Sequence, residues 1–271
     1  MAKTQPPSAA HADPAALMAG RRAELVRVVE EAGRQLLARA PAAREDPHAT
    51  TDMDRALDEW LRGALPRVVD APVFSEERHR EAVAEGGLVW IVDPIDGTLN
   101  AIVGNPDVAV SAALYDRARR WTVAAAVVAP FHGLSYSAVR GAGAELNGES
   151  LTRAPRAHHP AILAVGLPST AADNADLHAG FLRRFVDEAW ILRLTGSAAL
   201  DVCRVASGQW SGFFEDGLYV WDVAGADLIA TETGCATRLS MPDGDLASRI
   251  RYLAADSPET LERIAALAAR D

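Results

Sequence analysis

The chain has 271 residues, 49% of them hydrophobic, enough for one large domain or two intimate halves around a sizeable core. A formal net charge of −10 argues against a nucleic-acid polymer or an anionic membrane as the main partner. It leaves room for a small phosphorylated substrate, because bound cations invert the local field.

Residues 1–14 are rich in Ala and Pro and read as a disordered tail. From about Ala15 to Ala40 the pattern is helical, with Leu25, Val28, Val29, Ala32 and Leu36 on one apolar face and Pro41 as the stop. Residues 41–50 read as a polar loop. A second helix starts at Thr51 or Asp52, buries Leu57, Trp60, Leu61 and Leu65, and ends at Pro66. Asp54 falls in its first turn, where a carboxylate complements the helix dipole. Val73-Phe74 is a short strand running into Ser75-Glu76-Glu77, a carboxylate pair that by itself reads as solvated charge.

After a hydrophilic connection, Leu88 to Val92 reads as a buried strand, short, apolar and partly β-branched. It runs into Asp93-Pro94-Ile95-Asp96-Gly97-Thr98. Pro94 donates nothing to a ladder, so pairing is expected to lapse there, and Gly97 permits a tight bend. Asp93, the Ile95 carbonyl, Asp96 and Thr98 then surround one point at a strand end. Hard oxygen donors clustered in that way suit Mg²⁺. A plain strand and turn is the bland alternative.

A meander follows. Strands are expected over Val108–Tyr115, Trp121–Ala129 and Leu134–Val139, and Asn147-Gly148 is a strong hairpin signal. Gly141-Ala142-Gly143 reads as a plain turn, and Arg117, Arg119 and Arg120 as a solvated hairpin tip. The second half alternates: strands at Ala161–Val165, Trp190–Leu194, Gly212–Glu215, near Thr237 and at Arg251–Leu253; helices at Ala175–Val186, Ser197–Ala206, Asp222–Thr233 and from Pro258, capped by Asp256 or Ser257. His158-His159 reads as solvated loop. Cys203 and Cys235 are expected to be buried thiols. With neither a secretory signal pattern nor a long apolar span, the expected compartment is the cytoplasm. Mixed helices and strands imply a layered α+β or α/β architecture.

Asp93-Pro94-Ile95-Asp96-Gly97-Thr98, the earlier Ser75-Glu76-Glu77 and the later Trp221-Asp222-Val223-Ala224-Gly225-Ala226, in this order, resemble the inositol monophosphatase family of Mg²⁺-dependent, lithium-sensitive phosphatases. The Thr51–Asp54 segment and Glu215, seven residues before Asp222, match the same pattern, and the resemblance runs from about residue 20 to the end. It implies an α+β fold, the five-layered αβαβα sandwich of the sugar phosphatases. Residues 15–271 would form a single domain with halves at 15–150 and 151–271. It also implies a homodimer and two or three Mg²⁺ ions. Glu76, Asp93 and the Ile95 carbonyl would hold one ion, and Asp93, Asp96 and Asp222 a second. Thr98 would orient the attacking water with Asp54 as proton acceptor, and the Gly97 and Thr98 amides would face the phosphate. Ser169, Ser197, Ala198 and Glu215 would line the substrate side.

These residue types suit the task. A phosphate monoester dianion repels nucleophiles; divalent ions neutralise it, and carboxylates hold such ions. A threonine hydroxyl is a poor base and needs a carboxylate beside it. No P-loop pattern is present. The chain departs from the family at Ala101, often Phe; at Tyr219, His in the animal enzymes; and at Ala43-Arg44, where a Lys is common. A wider pocket at Ala101 and the aromatic at Tyr219 are expected to shift substrate choice. Inositol 1-phosphate is the default substrate, with histidinol phosphate, a sugar phosphate or a nucleoside 5′-monophosphate-like compound as alternatives. An inactive metal-binding partner subunit is the rival from another class.

Overall fold

The computed structural model describes residues 13–45, 47–79, 86–153, 161–167, 175–241 and 245–269. In chain order the elements are α1 (Pro14–Ala19), α2 (Arg22–Glu45), α3 (Pro47–Val68), β1 (Val73–Ser75), β2 (Leu88–Asp96), α4 (Thr98–Val103), β3 (Ala109–Asp116), β4 (Trp121–Ala129), β5 (Leu134–Val139), β6 (Ala144–Leu146) and β7 (Glu149–Ser150). They continue with β8 (Ile162–Val165), α5 (Ala175–Asp187), β9 (Ile191–Arg193), α6 (Ala198–Ala206), β10 (Gly212–Leu218), α7 (Val220–Glu232), β11 (Ala236–Ser240), β12 (Ile250–Ala255) and α8 (Pro258–Ala268).

Strands β1 to β7 form one sheet in sequence order, and a second has the order β11-β12-β10-β8-β9. Three apolar clusters glue five layers. Leu25, Val29 and Leu36 of α2 and Leu57, Leu61 and Leu65 of α3 pack on Trp90, Val92 and Val110 of the first sheet. The other face of that sheet meets α6 and α7, which also cover the second sheet through Phe213, Tyr252 and Ala254. Phe181 and Phe185 of α5 and Leu261 and Ile264 of α8 close the outer face through Leu163, Val165 and Phe214. The result is an αβαβα sandwich, each buried Leu or Phe side chain contributing about 1.5–3 kcal/mol.

Helix α7 lies between two sheets, so it is apolar nearly all round: Val223, Ala226, Ile229 and Ala230 are fully buried. At Gly225 the helix presses on strands β3 and β4, where a Cβ would come within 2.7 Å of Ser111 Oγ and 3.1 Å of Val127 Cγ2. Its C-terminal Glu232 accepts the Gly141 and Gly143 amides at 2.9 Å each, fastening the β5–β6 turn. Asn147 and Gly148 both adopt positive φ in the β6–β7 turn, as the hairpin signal requires. Both cysteines are buried and free. Ser257 caps α8, accepting from Thr260 N at 3.1 Å. No helix among the described residues is long and apolar enough to cross a membrane.

Several sequence expectations are corrected. Asp13 and Pro14 belong to α1, where Asp13 caps the helix, and residues 1–12 lie outside the described residues. Pro41 does not stop α2, which continues to Glu45. The ring deprives only the Leu37 carbonyl of a partner, on a turn that faces solvent. Helix α3 begins at Pro47, a residue preorganised for a first helical position, so no ten-residue loop intervenes and neither Thr51 nor Asp52 is its cap. Asp54 therefore sits in its third turn, not its first. Trp60 is partly exposed because the buried stripe runs through Leu57, Leu61 and Leu65, one position round the helix. Strand β2 runs on to Asp96, the expected lapse at Pro94 appearing as a break in pairing with β3 between Asp93 and Asp96. Helix α4 was not expected at all.

Candidate active site

Strands β1 and β2 run parallel with Ser75 opposite Val92, so the next residues, Glu76 just past β1 and Asp93 still within β2, stand side by side. Their carboxyls are close enough that Glu76 raises the affinity of Asp93 for protons. Where the pairing breaks, Asp93 Oδ1 turns back to accept the Ile95 amide at 3.0 Å. The Ile95 carbonyl accepts the Thr98 hydroxyl at 3.0 Å. Thr98 opens α4, and Gly97 stands before it at φ 90°. A Cβ on Gly97 would lie 2.8 Å from the Asp107 carbonyl and 3.1 Å from that of Gly196, so only glycine fits. Asn100 ties the same two loops together, donating to the Asp107 and Thr195 carbonyls at 2.7 Å each.

Asp96 crosses to the N-terminus of α6. It accepts Ser197 Oγ at 2.5 Å, Ala198 N at 3.2 Å and Ala199 N at 2.9 Å. The orphan amides of a helix start are natural donors to a carboxylate. Ser197 thus serves Asp96 rather than capping its own helix. Asp222 lies in the first turn of α7, its Oδ2 accepting Tyr219 N at 2.7 Å. Glu215 projects from β10 over Gly166, where an added Cβ would fall 1.7 Å from its Oε2. Ser169 lies outside the described residues.

Electrostatically these groups form one unit. Burial first, then Glu77 and Glu76, push Asp54 up to about 8. Burial and Glu77 raise Glu76 to about 7. Asp93, fully buried, is raised well above its usual range by burial, then by Glu76, Asp96, Asp222 and Asp54. Burial raises Asp222 and Glu215 to about 8 each. Asp96 is held to about 6, because the Ser197 hydroxyl and the α6 amides offset its burial. The donors are carboxylates and a carbonyl, the hard oxygens that divalent cations of the Mg²⁺ type select. Among the described residues, no three His, Cys, Asp or Glu side chains already surround a common ion position. Asp93, Asp96 and Asp222 are each engaged by protein donors instead.

Three features escaped the sequence reading. Ala101 is 1% exposed and packs with the α2–α3 cluster, so it does not widen the cleft; its side chain points from α4 into the core. Within α6, Asp201 accepts Thr195 Oγ1 at 2.5 Å and pairs with Arg204, which also binds Asp107. This network supports the Thr195–Ser197 loop. Beside Asp222, Tyr219 stacks on Trp221 with centroids 4.4 Å apart, and His79 completes the aromatic group at 5.4 Å from Trp221.

A model of the inositol monophosphatase family matches residues 13–270. A protein named "Nus factor SuhB" from Haemophilus influenzae is 35% identical over 189 residues, 68% of this chain and 69% of the relative. Its namesake from Escherichia coli K12 matches to the same extent. Among solved structures, Mycobacterium tuberculosis SuhB superposes with a TM-score of 0.76 at 29% identity, covering 92% of this chain and 95% of that one. The inositol monophosphatase of Anabaena sp. PCC 7120 shares the fold, with a TM-score of 0.75 at 21% identity.

Proposed function

Because the chain belongs to the inositol monophosphatase family, we propose that it hydrolyses a small phosphate monoester, with inositol 1-phosphate as the default substrate and Mg²⁺ as the cofactor. The observation that carries this reading is the set of mutually interacting carboxyls from α3, the end of β1, β2 and α7, which burial and one another hold far above their usual range. Neighbouring cations offset these shifts only in part, and the oxygens of the set match Mg²⁺ chemistry.

In this reading Glu76, Asp93, the Ile95 carbonyl, Asp96 and Asp222 hold the ions. When bound, these neutralise the phosphate, acidify a water and stabilise the departing alkoxide. The residues supply the rest. Thr98, with its hydroxyl beside the Ile95 carbonyl, orients the water, and Asp54 takes its proton. The Gly97 and Thr98 amides, at the start of α4, face the phosphate. Glu215, Ser197, Ala198 and Ser169 contact the alcohol. Two residues of α4, Leu99 at 72% and Val103 at 68%, are exposed, as is Leu194 at 55%, next to the Thr195 carbonyl that Asn100 binds. We assign this apolar face to a homodimer contact.

Phosphate release is to be measured with Mg²⁺ over inositol 1-phosphate, histidinol phosphate, a sugar phosphate and AMP, with Asp93→Asn as control. Release lost in the control supports the reading; release unchanged in it refutes the metal roles. The relatives' printed name, Nus factor, favours a second, non-enzymatic reading. That reading prevails if the intact protein binds Mg²⁺ yet turns over none of these esters.

A further inference from the structure

Strand β10 pairs with β12 in regular antiparallel register as far as Asp216 opposite Arg251, then slips so that Leu218 faces Ile250. Gly217, at φ 98°, is the extra residue of this bulge. Its carbonyl accepts Nη1 of Arg249. The guanidinium carbon of Arg249 also lies 4.3 Å from the centroid of Tyr219, a cation–π contact. Tyr219 is itself fixed, by its stack on the buried Trp221 and by the bond from its amide to Asp222. A solvent-exposed arginine is thus tethered at two points, against the ring that precedes α7.

The neighbouring Arg251 is neutralised by Asp216 at 2.6 Å. Arg249 has no such partner: among the described residues no carboxylate forms an ion pair with it. Its charge nonetheless reaches into the cleft, counteracting the upward shifts of both Glu215 and Asp222. One guanidinium N–H is used by Gly217, leaving donors of the planar fork that matches a carboxylate or phosphate in two-point fashion.

We propose that Arg249 is a specificity-determining residue that binds a second anionic group, carboxylate or phosphate, carried on the alcohol portion of the substrate. The proposal rests on the phosphatase reading and deepens it. It places the scissile phosphate at the carboxylate cluster and the second anion beyond Glu215, on the Tyr219 side. An arginine fixed by a ring and a carbonyl loses little further freedom when it takes up an anion, which favours this use over that of a floppy surface charge.

The test uses two esters differing at one group: glycerol 2-phosphate, and 2-phosphoglycerate, in which a carboxylate replaces one hydroxymethyl. The full-length protein, Arg249→Met and Arg249→Lys are compared in Mg²⁺ for kcat and KM on both. Methionine keeps a long side chain against Tyr219 without the charge; lysine keeps the charge without the fork. The expected result is that Arg249→Met lowers kcat/KM for 2-phosphoglycerate about tenfold more than for glycerol 2-phosphate, through KM, and that lysine restores part of the difference. Equal losses on both esters, or none on either, overturn the role of Arg249 while leaving the phosphatase reading intact. A wild-type protein that prefers the neutral ester by the same ratio as Arg249→Met also overturns it. Wild-type protein that releases phosphate from neither ester, nor from the wider panel, refutes the phosphatase reading itself.

Discussion

Replacing Gly166 with alanine separates two roles of one carboxylate. Gly166 follows β8, and its amide donates to the Phe214 carbonyl at 3.1 Å, which sets it beside Glu215. An added Cβ would lie 1.7 Å from Glu215 Oε2 and 1.9 Å from its Cδ, while its φ is outside the left-handed region. The backbone therefore accepts alanine, and the flexible carboxylate must move. In place, that carboxylate is raised from 4.5 to about 8, mainly by burial. A raised carboxyl penalises the folded state as pH climbs from the unfolded value toward the folded one, and the penalty is absent below about 4.5. At pH 7 it amounts to roughly 3 kcal/mol, since one unit is about 1.4 kcal/mol. Expelling the group to solvent relieves most of this, and alanine adds about 0.4–1 kcal/mol by restricting the unfolded chain. In EDTA the variant is expected to melt above wild type at pH 8.5, by about 2–4 °C for each kcal/mol relieved. The gap narrows at pH 5. In Mg²⁺ its kcat/KM for the preferred ester is expected to fall about as far as that of Glu215→Gln. A variant that melts several degrees lower at both pH values would show that the backbone, not the side chain, gives way. Unchanged kcat/KM beside an impaired Glu215→Gln would show that alanine leaves the Glu215 carboxylate in place, and unchanged kcat/KM in both variants would remove Glu215 from the substrate side.

Three further outcomes are expected. Ser197→Ala removes a buried hydrogen bond to the Asp96 carboxylate and should cost about 1–3 kcal/mol in urea unfolding, with an unchanged m-value. Glu232→Gln replaces one of two carboxylate oxygens facing the Gly141 and Gly143 amides by an amide donor, and should cost about 1–2 kcal/mol, read by the same melts, with activity retained. Leu99→Asp together with Val103→Asp should convert a dimer to a monomer in light scattering; a wild-type monomer would remove this face as a dimer contact.

Where hydrophobic period and turn chemistry agree, the chain is readable. The meander β3–β4–β5 and the Asn147-Gly148 turn follow from alternating apolar runs and two residues that tolerate positive φ. Of the candidate carboxylates, Asp93 and Asp96 are legible at the abrupt end of an apolar strand, whereas Glu76, Asp54 and Asp222 read alone as ordinary charge or helix residues and draw their roles from the resemblance. Helix α4 is not legible, since six residues carry too little periodicity, and its start depends on Gly97 wedged between two distant carbonyls. The continuous run of α2 through Pro41 depends on which carbonyl the ring frees and whether water reaches it. Ala101 reads as a cleft residue from its neighbours in sequence, yet the turn of α4 rotates it into the core. The pairing of Gly166 with Glu215 is written only in the parallel register of β8 and β10, across 49 residues of chain.

Gly225 has a reach beyond its own contact. Asp222 rides on the same helix, three residues earlier, while Asp93 and Asp96 ride on the sheet against which Gly225 presses. The thickness of that layer is a gauge that sets the gap between one candidate ligand and the other two. A single methyl at position 225 would act as a shim, widening the gap without touching a carboxylate. In the proposed phosphatase, selection for ion size can therefore operate from the dry interior, where no candidate ligand is altered and no solvent reaches.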